Sequence, residues 1–181
     1  LNNAIEHSKS KFIEIEVAKE DESLCFTVND FGIGAYRNVM KKRGLKSELE
    51  AMQDLLKGKT TTEPRAHSGE GIFFTSKAAD AFFLDSFEHR LRVDNTIPDV
   101  FFEKVKPLKR GTRVVFRISL QSKRHLSDVF NYYSSDPNEP AFDKTKIQVK
   151  LFIMGTIYVS RSQARRILAG LDKFKIIYIT L

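Results

Sequence analysis

Two consecutive strand patterns near the N-terminus constrain this chain more than any other feature. The stretch "KFIEIEVAKE" alternates apolar and charged residues and places Ile13, Ile15 and Val17 on one face, which is the period of a β-strand with one solvated side. After an acidic turn, "SLCFTVND" is apolar on both faces, as expected of a more central strand. The two stretches predict a β-hairpin.

Helical and strand patterns alternate after the hairpin. Apolar spacing predicts two helices over 35–44 and 45–58, and the polar stretch around Pro64 predicts a mobile loop. The sequence "EGIFFTSKAADAFF" predicts a buried helix over 70–83 whose apolar face includes Phe83. Three further strands are predicted over 84–94, 99–106 and 112–120.

The C-terminal part changes character. Residues 121–146 are rich in Ser, Asp and Asn and contain two prolines, which indicates a linker with one short helical stretch. Strand, helix and strand patterns then follow as a βαβ unit, with Ser160 and Gln163 spaced as a capping box at the helix start. We therefore expect a first domain over 1–120, a linker, and over 147–181 the beginning of a larger domain.

Composition limits the classes of function. The 181 residues are enough for one domain or a domain and a fragment. No apolar stretch is long enough to cross a bilayer and no signal peptide is seen, so we expect a cytoplasmic protein. The single cysteine, Cys25, is predicted to be a buried reduced thiol. The net charge is +7, but the basic clusters lack interleaved aromatic residues, which disfavours nucleic-acid binding by this piece.

The stretch "DFGIGA" combines a carboxylate with two glycines directly after the central strand. A carboxylate that is half buried at a strand end needs hydrogen-bond donors, and the exocyclic amine of a purine would serve. Gly32 and Gly34 would let the backbone approach a flat base. The alternative is an ordinary turn after a strand, in which Asp30 has a structural role only.

Two later glycine motifs can likewise be interpreted either as ligand-binding or as purely structural. In "HSGEGIFF", Gly69 and Gly71 precede a helix whose free N–H groups suit a phosphate, although a helix start after a loop would look the same. In "RGTRVVF", Thr112 begins a strand with a hydroxyl that can bond a water or a carboxylate, or it simply follows a glycine turn. On the opening helix, Asn3 offers a neutral oxygen to magnesium, with His7 near the same face; both are otherwise surface residues.

Taken in order, "NNAIEHS", "DFGIG", "HSGEGIFFTS" and "RGT" resemble the four motifs of the GHKL (Bergerat-fold) ATPases. The resemblance covers about two-thirds of the chain, and "NAIEHS" is closest to the anti-sigma-factor kinases of that family. It implies an α+β fold, namely a two-layer α/β sandwich with a mixed, mainly antiparallel sheet and helices on one face. The tail "IYVSRSQARRILAGLDKFKIIYITL" resembles the opening of a STAS-like domain.

The resemblance also implies roles. Asp30 would accept from the adenine amine, with Thr112 supporting it through a water, and Asn3 would coordinate the magnesium of Mg-ATP. Gly32 and Gly34 would line the base pocket. The phosphate loop would be formed by Gly69 and Gly71, beneath a lid over about 36–68, with His7 nearby.

The expected function is a Mg-ATP-binding regulatory switch coupled to the STAS-like module and to a protein partner, with a homodimer as one possible assembly. The general-base Glu of the family would lie two residues before Leu1, so ATPase, protein serine kinase and simple binding stay open. The alternative is a non-catalytic interaction protein or DNA-linked transcriptional regulator with a vestigial pocket.

Overall fold

The fold is an α+β arrangement built on a four-stranded antiparallel sheet, as seen in the computed structural model. The structure describes residues 1–57, 71–133, 146–150, 152–153, 156–157, 161–169, 171 and 176–180. Its helices are α1 (Asn2–His7), α2 (Ala35–Arg43), α3 (Glu48–Leu56), α4 (Gly71–Ala78), α5 (Leu126–Tyr133) and α6 (Arg161–Leu168). Its strands are β1 (Ile13–Glu20), β2 (Ser23–Asp30), β3 (Ala81–Asp94), β4 (Asp99–Ser119), β5 (Lys146–Lys150), β6 (Phe152–Ile153), β7 (Thr156–Ile157) and β8 (Ile176–Thr180).

The predicted hairpin is confirmed, with β1 and β2 paired from Ile13–Asp30 to Glu20–Ser23. The strand order in the sheet is β1-β2-β4-β3, so β2 has neighbours on both sides, as its apolar pattern predicts. β1 is an edge strand, and Ile15 and Val17 are 59% and 60% exposed. The alternation is therefore correct but the burial it suggests is wrong, because the core lies over β3 and β4.

The boundaries of β3 and β4 correct three predictions. The helix predicted over 70–83 ends at Ala78, and Phe83 belongs to β3, which begins at Ala81 rather than 84. The pairing of β3 with β4 begins with a hydrogen bond that the Asp80 N–H donates to the Arg117 carbonyl. The two strands predicted over 99–106 and 112–120 are one strand, β4, with irregular pairing opposite Phe87.

The core lies on one face of the sheet, where α2 and α3 cover β3 and β4. Tyr36 is fully buried there: its hydroxyl donates to the Leu84 carbonyl and accepts from the Leu91 N–H. Burial raises the pKa of this phenol well above its ordinary value. The other buried members of the cluster are Val39, Ala51, Met52, Leu55, Ala79, Phe82, Leu84, Leu91, Val93 and Val100. The helical layer is thus on one face, as predicted.

The described part of the predicted lid is not a separate flap. The range 36–57 contains α2 and α3, and their inward residues belong to the core, so a lid over all of 36–68 is wrong. The predicted loop around Pro64 lies outside the described residues. Within the predicted linker, α5 packs Val129 against Phe73 and Phe74 of α4.

The tail shows the predicted strand–helix–strand order. β5 pairs in parallel with β8, and α6 lies between them in sequence. The tail contacts the first part of the chain where the Lys57 ammonium donates to the Ala169 carbonyl at 3.2 Å. Ser160, the predicted cap, lies outside the described residues. Among the residues that are described, no helix has the length and hydropathy needed to span a membrane.

Candidate functional site

Asp30 is the last residue of β2 and is only 4% exposed. Its Oδ1 accepts two backbone hydrogen bonds, from Gly32 N–H at 3.0 Å and from Thr112 N–H at 3.1 Å. Within the described part of the chain, no donor reaches Oδ2. Since a buried carboxylate requires hydrogen-bond donors, this side chain is held in place through one oxygen and has the other available for a ligand donor.

Thr112 lies beside Asp30 because β4 pairs with β2 in this register. Its hydroxyl oxygen accepts from Ala35 N–H at 2.9 Å, at the first residue of α2. A helix leaves its first N–H groups without intrahelical partners, so Thr112 satisfies one of them. The hydroxyl proton can still donate to a water or a ligand, as the sequence suggests, but the oxygen also has a structural partner.

Gly32 and Gly34 are both packed tightly by protein. A Cβ on Gly32 would lie 1.8 Å from the Ser8 carbonyl oxygen, and the Ser8 carbonyl accepts from Ile33 N–H at 2.9 Å. A Cβ on Gly34, whose φ is +83°, would lie 2.5 Å from the Ser86 hydroxyl and 2.7 Å from the Phe87 ring. These glycines therefore allow close packing of the turn against its neighbours; their predicted contact with a purine stays a prediction.

Two further residues belong to this site: Gly111, which lies in the motif "RGT" without an assigned role, and Lys109, which lies in none of the motifs. Gly111 has φ +78°, and a Cβ there would lie 2.3 Å from the Asp30 carbonyl oxygen and 2.7 Å from Oδ1. The Lys109 ammonium donates to the same Asp30 carbonyl at 2.7 Å and lies 4.4 Å from the Phe31 ring centroid. Burial lowers the pKa of Lys109, Asp30 partly offsets this, and the charge of Arg113 lowers the pKa again. The only sequence signal for Gly111 was its place before Thr112.

The opening helix is connected to this site through its C-terminal end. Ser8 follows α1 and is buried; its hydroxyl accepts from the Ser10 N–H, and its carbonyl accepts from the Ile33 N–H. Asn3 is exposed on α1 and His7 is partly buried at its last turn. The structure therefore brings α1 against the turn after β2, although it shows no side-chain contact between Asn3 and Asp30.

Only part of the predicted phosphate loop lies within the residues that the structure describes. Gly71 is the first residue of α4, and among the described residues a Cβ there would meet no atom within 4 Å. Gly69 lies outside the described residues. Within the described ranges, no group of three or more His, Cys, Asp or Glu residues could hold a metal ion. Asn3 alone would supply one oxygen, and a magnesium ion would need the rest from phosphates and water.

No family model matches the sequence, and no curated protein matches it. At this end of the sheet, Thr112 lies beside the turn that contains Asp30, Gly32 and Gly34, although it is 82 positions from Asp30 in sequence, and these residues surround one half-satisfied carboxylate.

Proposed function

We propose that the first domain, over 1–120, binds Mg-ATP as a GHKL-type nucleotide-dependent regulatory switch. The observation that carries this proposal is the Asp30 carboxylate, which is buried, oriented by two backbone N–H groups, and left with one acceptor oxygen. An adenine amine is a donor of the right chemistry for that oxygen. A phosphate or carboxylate ligand would be repelled there.

The other predicted site residues would contact different parts of Mg-ATP. Thr112 would donate to the base edge, directly or through a water, while its oxygen keeps its bond to α2. Asn3 would supply one oxygen to magnesium, and His7 and the start of α4 at Gly71 would lie towards the phosphates, together with Gly69. Magnesium would neutralise phosphate charge when bound. The proposal covers binding and switching in a cytoplasmic protein and assigns no catalytic residue.

The switch would act through α3 and the STAS-like tail. Lys57 follows α3 and donates to the Ala169 carbonyl, so the same helix contacts the core and the tail. If nucleotide binding shifts α3, it changes this contact and the surface that the tail offers to a protein partner. A second copy of the chain is one such partner.

Isothermal titration calorimetry with Mg-ATP tests the proposal on Asp30→Asn. Asparagine can still accept both N–H bonds through its oxygen, but it places an NH2 group where the free acceptor was. We expect ATP affinity to fall by roughly 30-fold, which corresponds to roughly 2 kcal/mol for a charged hydrogen bond. The matched control is Asp80→Asn, just before β3, where the carboxylate accepts from the Ser119 N–H and the Ser122 hydroxyl and lies 3.5 Å from the Arg124 guanidinium.

A second candidate function has its own supporting observation. The space that Gly32 and Gly34 leave free is filled by Ser8, Ser86 and Phe87, as expected of a non-catalytic interaction module with a vestigial pocket. Equal ATP affinity in the wild type and Asp30→Asn would contradict the assignment of Asp30. Absence of any ATP binding by the wild-type chain would favour this second candidate.

A further inference from the structure

The outer face of the sheet carries a groove that shares only Lys109 with the candidate nucleotide site. It is formed where β4 bulges away from β3: β3 advances two residues, from Phe87 to His89, while β4 advances five, from Lys104 to Lys109. The groove has a volume of about 370 Å³. Besides three aliphatic residues of the bulge, it is lined by Arg90, Glu103, Lys104, Lys106, Lys109 and Arg113. We refer to it as the basic groove.

The positive charge of the basic groove is only partly balanced. Arg90 and Arg113 share a single carboxylate, Asp85, which leaves the three with a net positive charge. The one acidic lining residue, Glu103, is itself paired with Arg92 at 3.1 Å. Two guanidinium groups therefore lie in the groove with one neutralising charge between them, and their outer N–H groups can bind a further anion.

The lysines of the groove add to this excess. Lys104 reaches Glu88 only at 3.8 Å, with both side chains more than half exposed, so that pair contributes little. Lys106 is exposed on the bulge, and in the part of the chain that the structure describes it has no acidic partner. Lys109 donates to two backbone carbonyls rather than to a carboxylate.

Two further carboxylates of the same face lie on the edge strand β1. Glu14 and Glu16 project from β1, and the pairing of β1 with β2 and of β2 with β4 puts them on the face that carries Arg113. The face is thus acidic along β1, while along β4 and β3 its arginines and lysines outnumber Asp85 and Glu103. A one-sided field of this kind attracts an extended polyanion and sets its orientation.

We propose that the basic groove binds the phosphate backbone of double-stranded nucleic acid. The whole chain has a net charge of +7 and a pI near 9.5, and clustering of Lys and Arg on one face is the electrostatic footprint of such binding. The described lining contains no aromatic residue. Contacts to the phosphate backbone of a duplex need no aromatic side chains. Single strands, in contrast, are bound by stacking of their bases on aromatic rings, and protein partners are commonly bound through aromatic anchor residues. The lack of aromatics among the basic clusters thus argues against single strands and not against a duplex.

Fluorescence anisotropy with a labelled 20-base-pair duplex of arbitrary sequence, at several salt concentrations, tests this proposal on the full chain. The test variant is Lys104→Ala/Lys106→Ala, which avoids Lys109 because that residue contacts Asp30. We expect the variant to bind about tenfold more weakly at ~0.1 M salt, and the slope of log K against log salt to fall by about two. The control, Lys41→Ala/Lys46→Ala, removes the same charge from exposed positions on and after α2.

The outcomes separate the alternatives. Equal losses in the test and control variants would mean that net charge alone attracts the duplex, and would overturn the groove. Tighter binding of the corresponding single strand, or no duplex binding by the wild type at low salt, would also overturn it. Thermal melting monitored by circular dichroism should show both variants folded, because all four lysines are exposed. The result does not depend on nucleotide binding at Asp30.

Discussion

Two buried aspartates lie on opposite faces of the same sheet and are satisfied in opposite ways. Asp85 is fully buried and accepts hydrogen bonds from Arg90 and Arg113 on both of its oxygens, at 2.6–3.0 Å. Asp30 is almost as buried, yet it accepts only from backbone N–H groups and only through Oδ1. Burial opposes ionisation of Asp85, but the bonds and charges of the two arginines outweigh it and lower its pKa.

The difference separates a structural carboxylate from a candidate ligand-binding one. A carboxylate that two guanidinium groups enclose has no acceptor left, so its role ends with holding β3 and β4 together. A carboxylate that backbone groups fix through one oxygen keeps its direction and one acceptor. Removing the first should cost folding stability, and altering the second conservatively should cost binding but little stability.

The largest effect is expected from Asp85→Asn. Removing one partner of a buried ion pair leaves Arg90 and Arg113 uncompensated, and we expect the free energy of unfolding to fall by roughly 3 kcal/mol in urea denaturation. Because the folded-state pKa of Asp85 is lowered, the loss should be present at neutral pH and diminish only as pH falls below its ordinary value of 3.8.

The matched control for Asp85 is Glu20→Gln, which removes a solvent-exposed pair with Arg117. We expect it to change the free energy of unfolding by less than about 1 kcal/mol. If the free energy of unfolding fell by the same small amount in both variants, Asp85 would not be a carboxylate with a mainly structural role.

Gly111→Ala tests whether the backbone beside Asp30 is as constrained as its contacts indicate. The new Cβ would meet the Asp30 carbonyl oxygen at 2.3 Å in a left-handed conformation, and we expect a loss of roughly 2–3 kcal/mol in the free energy of unfolding. Gly44→Ala is the control, since Gly44 has φ +63° with nothing within 4 Å of its Cβ position. It should lose only about 1 kcal/mol, and equal losses would show that the conformation rather than the contact with Asp30 matters.

Asp30 itself should respond differently to two substitutions. Asp30→Ala leaves the buried N–H groups of Gly32 and Thr112 without an acceptor, and we expect a loss of roughly 2 kcal/mol in urea denaturation. Asp30→Asn keeps an acceptor for both, and its free energy of unfolding should fall by less than about 1 kcal/mol. A loss of 3 kcal/mol in Asp30→Asn would place Asp30 with Asp85 as a structural carboxylate.

The sequence predicted the hairpin and the position of Asp30 because both follow from local patterns. Alternation over ten residues defines a strand, and a carboxylate followed by two glycines marks the strand's end. The helix end at Ala78 was missed because "AADAFF" contains no helix breaker, and the strand there depends on pairing with Arg117. The contacts of Lys109 and Gly111 with Asp30 join residues about 80 positions apart, and no local pattern shows them.

The smallest effect is expected at a third charged side chain, which has neither the ion pairs of Asp85 nor the backbone hydrogen bonds of Asp30. Lys77 on α4 lies against Phe73, its ammonium 6.0 Å from the ring centroid, and no described carboxylate pairs with it. Burial, with repulsion from Arg124, lowers its pKa to about 8. Lys77→Met keeps the aliphatic stem and removes the charge, so we expect the free energy of unfolding to rise by roughly 1 kcal/mol at pH 7.

The pH dependence of this gain has a definite sign. The unfolded chain holds the Lys77 proton up to its ordinary pKa of 10.5, whereas the folded chain releases it from about pH 8. The wild type therefore gains stability relative to Lys77→Met as pH rises between these values. Urea denaturation at pH 6.5, 8 and 9.5 should show the gap between the two proteins narrowing, and Lys19→Met, on exposed β1, should show no gap. A wild type that was more stable than Lys77→Met by the same amount at all three pH values would mean that Lys77 has an anionic partner and belongs with Asp85, because a raised pKa would keep the lysine charged throughout this range.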